Sequence, residues 1–543
     1  MAKPLKALGR LFNRGGNPVP TEKGVGQVAV RSLNRYLRDT RSRVLATRPA
    51  PLTNSRDDIR LSWRRCAGLA RDIIQNSGRL KGAVDQVIAD TVGSELLLNP
   101  KPDLSAAGYD AQETAEWCRI VKQRWKRFAW DHAECDMRGK FTLPQLVDCS
   151  LRDYITFGEV TGMLDYMGSA QRARYGIKAG TKLCLFSPQK LVQDTLEHER
   201  LFQGVYHDEN GRPISYLIEE ARNGQTVKTR YSARDLAGRV QVLHIFDPTC
   251  ASDVRGISVL ASAFRKHIQH EMLEDATLQT AILQTLFAAV LKSELPSEEA
   301  FAAIDAMQDT DAGKEFKESF SDYLLGALDK SAESSVSLGS DPTVSHIAPG
   351  EDFEIKTAGT PGPHYLPFSG SLGREMARAI GITYGGLTMD YSNATYSSVR
   401  MENASIWPVV TRRRERIAAP TYQAVYESWL DEEVGEGRIP FKGGYEAYSA
   451  LREEASWAQW QGPAKPTADD AKSAKASSTR LENGTSSLAH ECSEMGIDEE
   501  ELFEQRLSEH RRYLDAGMRS PYEPKTSQVA EVSRDETQGA TDE

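Results

Sequence analysis

No CxxC pair occurs in the chain, and its seven cysteines (Cys66, Cys118, Cys135, Cys149, Cys184, Cys250 and Cys492) are scattered and odd in number. This spacing excludes a zinc ribbon and argues against a disulfide framework, leaving reduced, mostly structural thiols. No GxxxxGK[ST] string is present, since Ala312-Gly313-Lys314-Glu315 has neither the spacing nor the hydroxyl. A P-loop phosphate cradle, and with it a motor ATPase, is therefore excluded. GxSxG and GxGxxG are missing as well. Long apolar runs are absent: the uncharged stretch Ala276 to Leu291 is broken by Thr277, Gln279, Thr280, Gln284 and Thr285. It falls short of the roughly 20 apolar residues a membrane span needs. The basic start Met1-Ala-Lys-Pro-Leu-Lys leads into no apolar h-region, so no secretory signal is read and a cytoplasmic protein is expected.

What is present is ordinary for a globular protein: 543 residues, 40% hydrophobic and 27% charged, enough for two or three domains. The net charge of −10 is unevenly placed. Residues 1–60 hold 13 Lys/Arg against 4 Asp/Glu, and residues 465–543 hold 10 against 18. Phosphate affinity comes mainly from Lys and Arg, so an acidic chain should let DNA slide past it and not grip it.

Residues 1–60 read as a loosely structured basic arm. Helical periodicity begins near Ser62, with Trp63, Cys66, Leu69, Ala70, Ile73 and Ile74 on one face. A second run, Val84, Val87, Ile88 and Thr91, stops at Gly93, and a third helix is expected over about 111–128. Thr142 reads as an N-cap for Leu143–Phe157, with Pro144 in the first turn. From about 160 to 248 the period falls to two, giving a compact β module with strands at Val160–Tyr166, Lys182–Ser187 and Val240–Phe246. Its clearest hairpin turns at Asn210-Gly211.

Helix is expected again from Arg255 to Lys292, a rod of roughly 55 Å if unbroken. Leu260, Phe264, Ile268, Met272 and Ala276 follow i,i+4; the charged first half should meet water and the second half be enclosed by neighbours. Residues 294–345 are polar and irregular. A strand after Pro349-Gly350 and a helix over Ser371–Ile380 follow, then a helix over about Val399–Val434 with a kink at Trp407-Pro408. Beyond Trp457 the composition reads as Ala-, Ser- and Glu-rich helix, and from about Pro521 as a disordered tail.

Candidate chemistry is sparse. His267 and His270 lie beside Glu271, but the order is neither HExxH nor HxxEH, so solvated helix polars are preferred to a metal site. Asp309-Thr-Asp-Ala-Gly opens like an EF-hand loop, yet Phe320 stands where its glutamate should. Arg412-Arg413-Arg414 with Arg416 could touch phosphate; a solvated or intersubunit ion-pairing face is preferred. Trp125, Phe128 and Trp130, flanked by Lys126 and Arg127, could stack on bases; core packing is preferred. No nucleophile with its base stands out. No catalytic, cofactor-binding or metal residue is nominated, and no cofactor is expected.

Three strings occur in register. They are Val242-Leu-His-Ile-Phe-Asp-Pro leading into Val254-Arg-Gly-Ile-Ser-Val-Leu, then Ile347-Ala-Pro-Gly-Glu-Asp-Phe-Glu, and the stretch from Arg378 to Met401 containing Tyr396-Ser397-Ser398 and Arg400. With the weaker echoes Gln203-Gly-Val-Tyr, Asn210-Gly-Arg-Pro-Ile-Ser-Tyr and Trp460-Gln-Gly-Pro, they resemble the lambda-type family of phage portal proteins from about Arg60 to His510. The residues that carry this signature are His244, Arg255, Gly256, Pro349, Gly350, Tyr396, Ser397, Ser398 and Arg400. They are read as structural, with Ser397 or Ser398 capping a helix and Arg400 pairing with an acidic neighbour.

The resemblance implies an α+β portal fold, with a mainly helical wing and crown, paired stem helices and a small β-rich clip. In order these would be a basic arm (1–60), wing (61–140), stem helix (141–159), clip (160–248), long stem helix (249–293), an irregular segment with the tunnel loop (294–365), wing and crown helices (366–456), helical crown (457–520) and a disordered tail (521–543). It further implies a ring of twelve copies at a capsid vertex, assembled in the host bacterial cytoplasm, through which double-stranded DNA is packaged and ejected. Its partners would be terminase, the major capsid or scaffold protein, and head-completion or tail-connector proteins, with no membrane. Arg265, Lys266 and Lys292 are the candidates for transient phosphate contact from the rod. The alternatives are a nuclease-like DNA-processing head protein, which metal-dependent cleavage would reveal, and a plain capsid or scaffold protein.

Overall fold

The computed structural model describes residues 52–287, 362–392, 394–467 and 470–523. Helix α1 (Ser55–Asn76) starts about two turns earlier than expected, and Ile59 extends the buried face of Trp63, Ala67, Ala70 and Ile73. Ser77 accepts a hydrogen bond from the Leu80 N–H and so caps α2 (Gly78–Thr91), which buries Leu80, Val84, Val87 and Ile88. Strand β1 (Leu97–Pro100) precedes α3 (Ala111–Trp130), whose start is fixed by a capping box between Asp110 and Glu113. Helix α4 (Leu143–Phe157) matches the expected bounds: the Thr142 N–H donates to Gln145 Oε1 at 3.0 Å, and Gly158 ends the helix with a left-handed φ of 89°.

The segment 160–248 forms two antiparallel sheets, not one module. Strands β2 (Glu159–Tyr166), β3 (Thr181–Leu185) and β8 (Val242–Phe246) pair in the order β3-β2-β8. Val160, Leu164, Leu183, Leu185 and Leu243 of this sheet belong to the same core as the helices. Strands β4 (Leu201–Phe202), β5 (Val205–His207), β6 (Pro213–Arg222) and β7 (Gln225–Ser232) form a meander with a smaller core of Phe186, Leu191, Val205, Tyr216, Ile218 and Val242. The turn around Asn210-Gly211 joins β5 to β6 as expected. A second, tighter hairpin joins β6 to β7 through Asn223 (φ 52°) and Gly224 (φ 78°), with Arg222 opposite Gln225.

The rod begins nine residues later than its sequence pattern. Described helix α5 spans Phe264–Phe287, 24 residues or about 36 Å, and residues 255–263 are irregular apart from a 3₁₀ turn at Val259–Ser262. The i,i+4 stripe divides: Leu260 and Phe264 are buried, whereas Ile268, Met272 and Leu278 are 39%, 65% and 61% exposed. His267 and His270, read as solvated, are buried.

Helix α6 (Tyr365–Ile380) ends at Gly381 in the left-handed region. Helix α7 (Tyr396–Arg413) runs on through Pro408, and the long helix expected to Val434 is divided instead by a π turn at Arg414–Ala418 before α8 (Ala419–Gly435). Where helix was expected beyond Trp457, β9 (Ala458–Gln461) first pairs with β1. That strand buries Trp460 in an aromatic cluster in which the Trp125 ring lies 5.2, 5.4 and 5.6 Å from Trp429, Tyr426 and Trp460. Such pairs each contribute about 0.5–1.5 kcal/mol beyond the area they bury. Trp125 and Phe128 are thus core residues, while Trp130 is half-exposed and donates to Glu95. Helices α9 (Asp470–Glu482), α10 (Leu488–Glu494) and α11 (Glu499–Asp515) close the described chain.

Candidate functional site

Three of the signature residues meet at one buried node, where α4 hands over to β2 and β8 returns towards α5. Glu159, the first residue of β2, is fully buried. Its carboxylate accepts from Arg255 Nε at 2.8 Å, from Arg255 Nη2, from the Gly256 N–H at 3.2 Å and from His244 Nε2 at 3.1 Å. Arg255 also donates to the carbonyls of Gln203 at 3.2 Å and Pro188 at 3.1 Å, and its guanidinium lies 4.9 Å from the Trp63 ring. One side chain thereby ties α1, β2, the loop leading into the meander and the turn between β4 and β5. A buried charge pair is stable only when its remaining donors and acceptors are satisfied, and here they are.

The node also explains the glycine after Arg255. A Cβ on Gly256 would lie 2.0 Å from the Gly158 carbonyl oxygen, and one on Gly158 would lie 2.1 Å from the Ile257 carbonyl carbon. The two backbones cross in contact, and the chain cannot continue as helix through this point. This is why α5 begins at Phe264. Burial alone would raise the Glu159 carboxyl, but the Arg255 charge and the His244 and Arg255 hydrogen bonds hold it down, to about 2. Close by on α4, burial and the Glu159 charge push Asp153 up to about 7.

The arginine cluster divides: Arg412 and Arg416 are exposed and paired with Asp247, whereas Arg413 and Arg414 are buried against backbone carbonyls. Arg412 and Arg416 take one oxygen each of Asp247, both at 2.8 Å. Arg413 is buried and donates to the Ile380 carbonyl at the end of α6 at 2.8 Å. Arg414, also buried, donates to the carbonyls of Thr91 at 2.8 Å and of Asp90 and Pro463 at 3.2 Å. Adjacent arginines thus cap the C-terminal ends of α6 and α2, where cations complement the helix dipole. A Cβ on Gly462 would lie 2.3 Å from Arg414 Nε, so the Trp460-Gln-Gly-Pro string is the seat of that arginine.

The remaining candidates do not converge. At the start of α7 the cap is Thr395, not a serine: Ser398 N–H donates to Thr395 Oγ1 at 3.2 Å, and Thr395 N–H donates to Ser398 Oγ at 2.9 Å. Tyr396, Ser397 and Arg400 are exposed, and Arg400 has no acidic partner among the described residues. Arg265 is exposed, and Lys266 lies 3.6 Å from Glu375. Lys292, Pro349, Gly350 and the Asp309 loop lie outside the described residues. Among the described residues no group of three or more His, Cys, Asp or Glu side chains could hold a metal, and no helix is long and apolar enough to cross a membrane. All seven cysteines are free thiols.

The residues missed from sequence are Gly158, Glu159 and Gly462. A glycine and a glutamate at a helix-to-strand junction were the available signal for the first two.

The model of the lambda family of phage portal proteins matches residues 41–414, a span that contains the whole node and the start of α7. The chain belongs to this family. Portal protein B of Escherichia phage lambda is 25% identical over 460 residues, covering 83% of this chain and 84% of that protein. The portal protein of Escherichia phage N15 is 24% identical over 471 residues, covering 85% and 86%. Among solved structures, the neck of an empty GTA particle computed with C6 symmetry covers 75% of this chain and 90% of that one at 13% identity and a TM-score of 0.35, a likeness too low to build on. As a lambda-family portal protein, the chain is a virion component of the capsid vertex, and its mixed helical and sheet architecture is α+β.

Proposed function

We propose that twelve copies close into a ring that serves as the DNA channel of the capsid vertex, without enzymatic activity of its own. The observation that supports this reading is the outer face of α5. Ile268, Met272 and Leu278 stand exposed on a helix that is buried against the body only at its root, through Phe264, His267 and His270. Repeated by rotation, a heterologous contact through such a face closes a ring without end caps. The chain is acidic overall, which suits a channel wall, because each phosphate held would add friction to moving DNA.

In this reading 61–140 belong to the wing, 141–159 and 249–293 to the stem, 160–248 to the clip, 294–365 to the tunnel-loop region, and 366–520 to wing and crown. The meander at the far end of the two-sheet segment is the surface offered to terminase and to the head-completion or tail-connector proteins, while the wing meets the capsid or scaffold protein. Arg265, Lys266 and Lys292 remain the stem candidates for transient phosphate contact. Negative-stain microscopy with native mass tests the ring: particles with an axial hole and roughly 720 kDa, twelve copies of the 60.2 kDa chain, are expected. A purified chain that stays monomeric in the presence of scaffold and cleaves DNA with a divalent metal would overturn it.

A further inference from the structure

The root of α5 carries two buried histidines whose hydrogen bonding is unusually constrained. His270 is 1% exposed; its Nδ1 lies 2.8 Å from Arg79 Nη1 on α2, and its Nε2 lies 2.7 Å from Ser369 Oγ on α6. An arginine only donates, so Nδ1 must be the acceptor and carry no proton. The ring hydrogen then sits on Nε2 and is donated to Ser369. Arg79 Nη2 meanwhile donates to Glu274 Oε1 at 2.7 Å, and that oxygen is 3.7 Å from His270 Nδ1. One turn earlier, His267 lies 2.9 Å from Glu271 Oε1 without hydrogen-bond alignment, and both its ring nitrogens are buried without a hydrogen-bond partner. Its surroundings are Ile73, Leu80, Leu260, Phe264, Met376 and Ile380.

We propose that His270 is a proton-sensitive latch that sets the angle of α5 on the body: neutral, it pins α5 to α2 and α6 together, and protonated, it must release Arg79. A second ring proton can go only to Nδ1, where it would face Nη1 donor to donor at 2.8 Å, one cation against another. The charged and titratable groups facing His270 are Arg79 from α2 and His267, Glu271 and Glu274 from α5 itself; α6 contributes the neutral Ser369. Glu274 is the acceptor within reach of a charged His270, and taking it removes the partner of Arg79 as well. Both ties between α5 and α2 are then lost in one step. His267, by contrast, already has the Glu271 carboxylate 2.9 Å away, so its charge would be compensated in place and the latch rests on His270.

The sign is consistent. Burial first, and then the Arg79 charge, outweigh the pull of Glu274 and Glu271 and keep both imidazoles below the ordinary histidine value. The latch is therefore closed above the ordinary histidine range and opens as pH falls below it. The geometry stands without the ring reading; the ring would give it a consequence, since the angle of α5 would set the width of the channel.

The test is amide hydrogen exchange on the full chain at about pH 7.5 and about pH 5, corrected for intrinsic exchange rates. Peptides from the first turns of α5 and from α6 near Ser369 should lose protection by about fivefold or more at the lower pH, and α8 peptides should not. In His270→Gln, the amide oxygen can accept from Arg79 and the amide nitrogen can donate to Ser369, so the loss should disappear. Arg79→Gln removes the opposing cation, and since a glutamine amide can donate to the neutral ring or accept from the charged one, the pH-dependent loss should disappear there too. Equal protection of the wild-type root at both pH values, or an unchanged pH dependence in His270→Gln, would overturn the latch. So would an unchanged pH dependence in Arg79→Gln, which decides the matter if the first variant fails to fold.

Discussion

The node around Glu159 and the outer face of α5 are opposites separated by little sequence. At the node the Glu159 carboxylate and the Arg255 guanidinium are fully hydrogen-bonded, two glycine backbones touch, and no charge is offered to solvent. On α5 large apolar side chains stand in water while histidines are buried beside them. A chain that needed only to fold would reverse that second arrangement. In the ring proposed above, the difference would separate residues kept to hold one shape from residues buried by another copy of the chain. The string that contains Arg255-Gly256 falls at the node, where the touching backbones leave few substitutes.

That contrast can be broken at graded cost. Gly256→Ala should have the largest effect, since its methyl would enter the Gly158 carbonyl. A loss of about 4 kcal/mol or more, seen as insoluble product or a much lower urea midpoint, is expected. Glu159→Gln comes next, leaving Arg255 buried without its counter-charge, at about 3–5 kcal/mol in urea melts near neutral pH. The same pair predicts an acid limit. The Glu159 carboxyl is depressed in the folded chain, so its contribution is present above the ordinary value of 4.5 and is lost as pH falls towards about 2. Glu159→Gln should therefore flatten the pH dependence of stability in that window. The smallest effect on the subunit belongs to the pair Met272→Lys and Leu278→Lys, within about 0.5 kcal/mol each because both side chains are already exposed. Their effect should appear instead in native mass, as loss of the ring. Subunit destabilisation by these two changes with rings intact would reverse the contrast.

Local signals were legible from the sequence. Helix α4 has its expected bounds, because the Thr142 cap and the Pro144 first turn are signals local to the element. The aromatic residues Trp125 and Phe128 were placed in the core by spacing alone. What sequence periodicity could not show was set by distant partners. Arg255 looks like a helix residue until Glu159, 96 positions away, is brought against it. His267 and His270 look solvated among charged neighbours, and only the packing of α2 and α6 onto α5 buries them. The arginine run looked like a surface, yet two of its members cap helices formed elsewhere in the chain. Strand β9 was read as helix because β1, its partner, lies more than 350 residues earlier. The hairpin at Asn223-Gly224, by contrast, carried a local signal as plain as that at Asn210-Gly211 and was passed over.

The meander has one further property. Its polypeptide departs from β3 where Leu185 faces Gly162 and comes back at β8 where Val242 faces Met163, so it leaves and rejoins the body at neighbouring rungs on either side of β2. Arg255 grips only its first part, up to Gln203. Residues beyond that grip can lengthen, shorten or be exchanged while the two attachment points stay where they are, and each doubling of such a loop costs only about 0.6 kcal/mol of closure entropy. Such a scaffold lets its outermost strands diverge rapidly, as a replaceable cassette, while the residues that hold it change hardly at all.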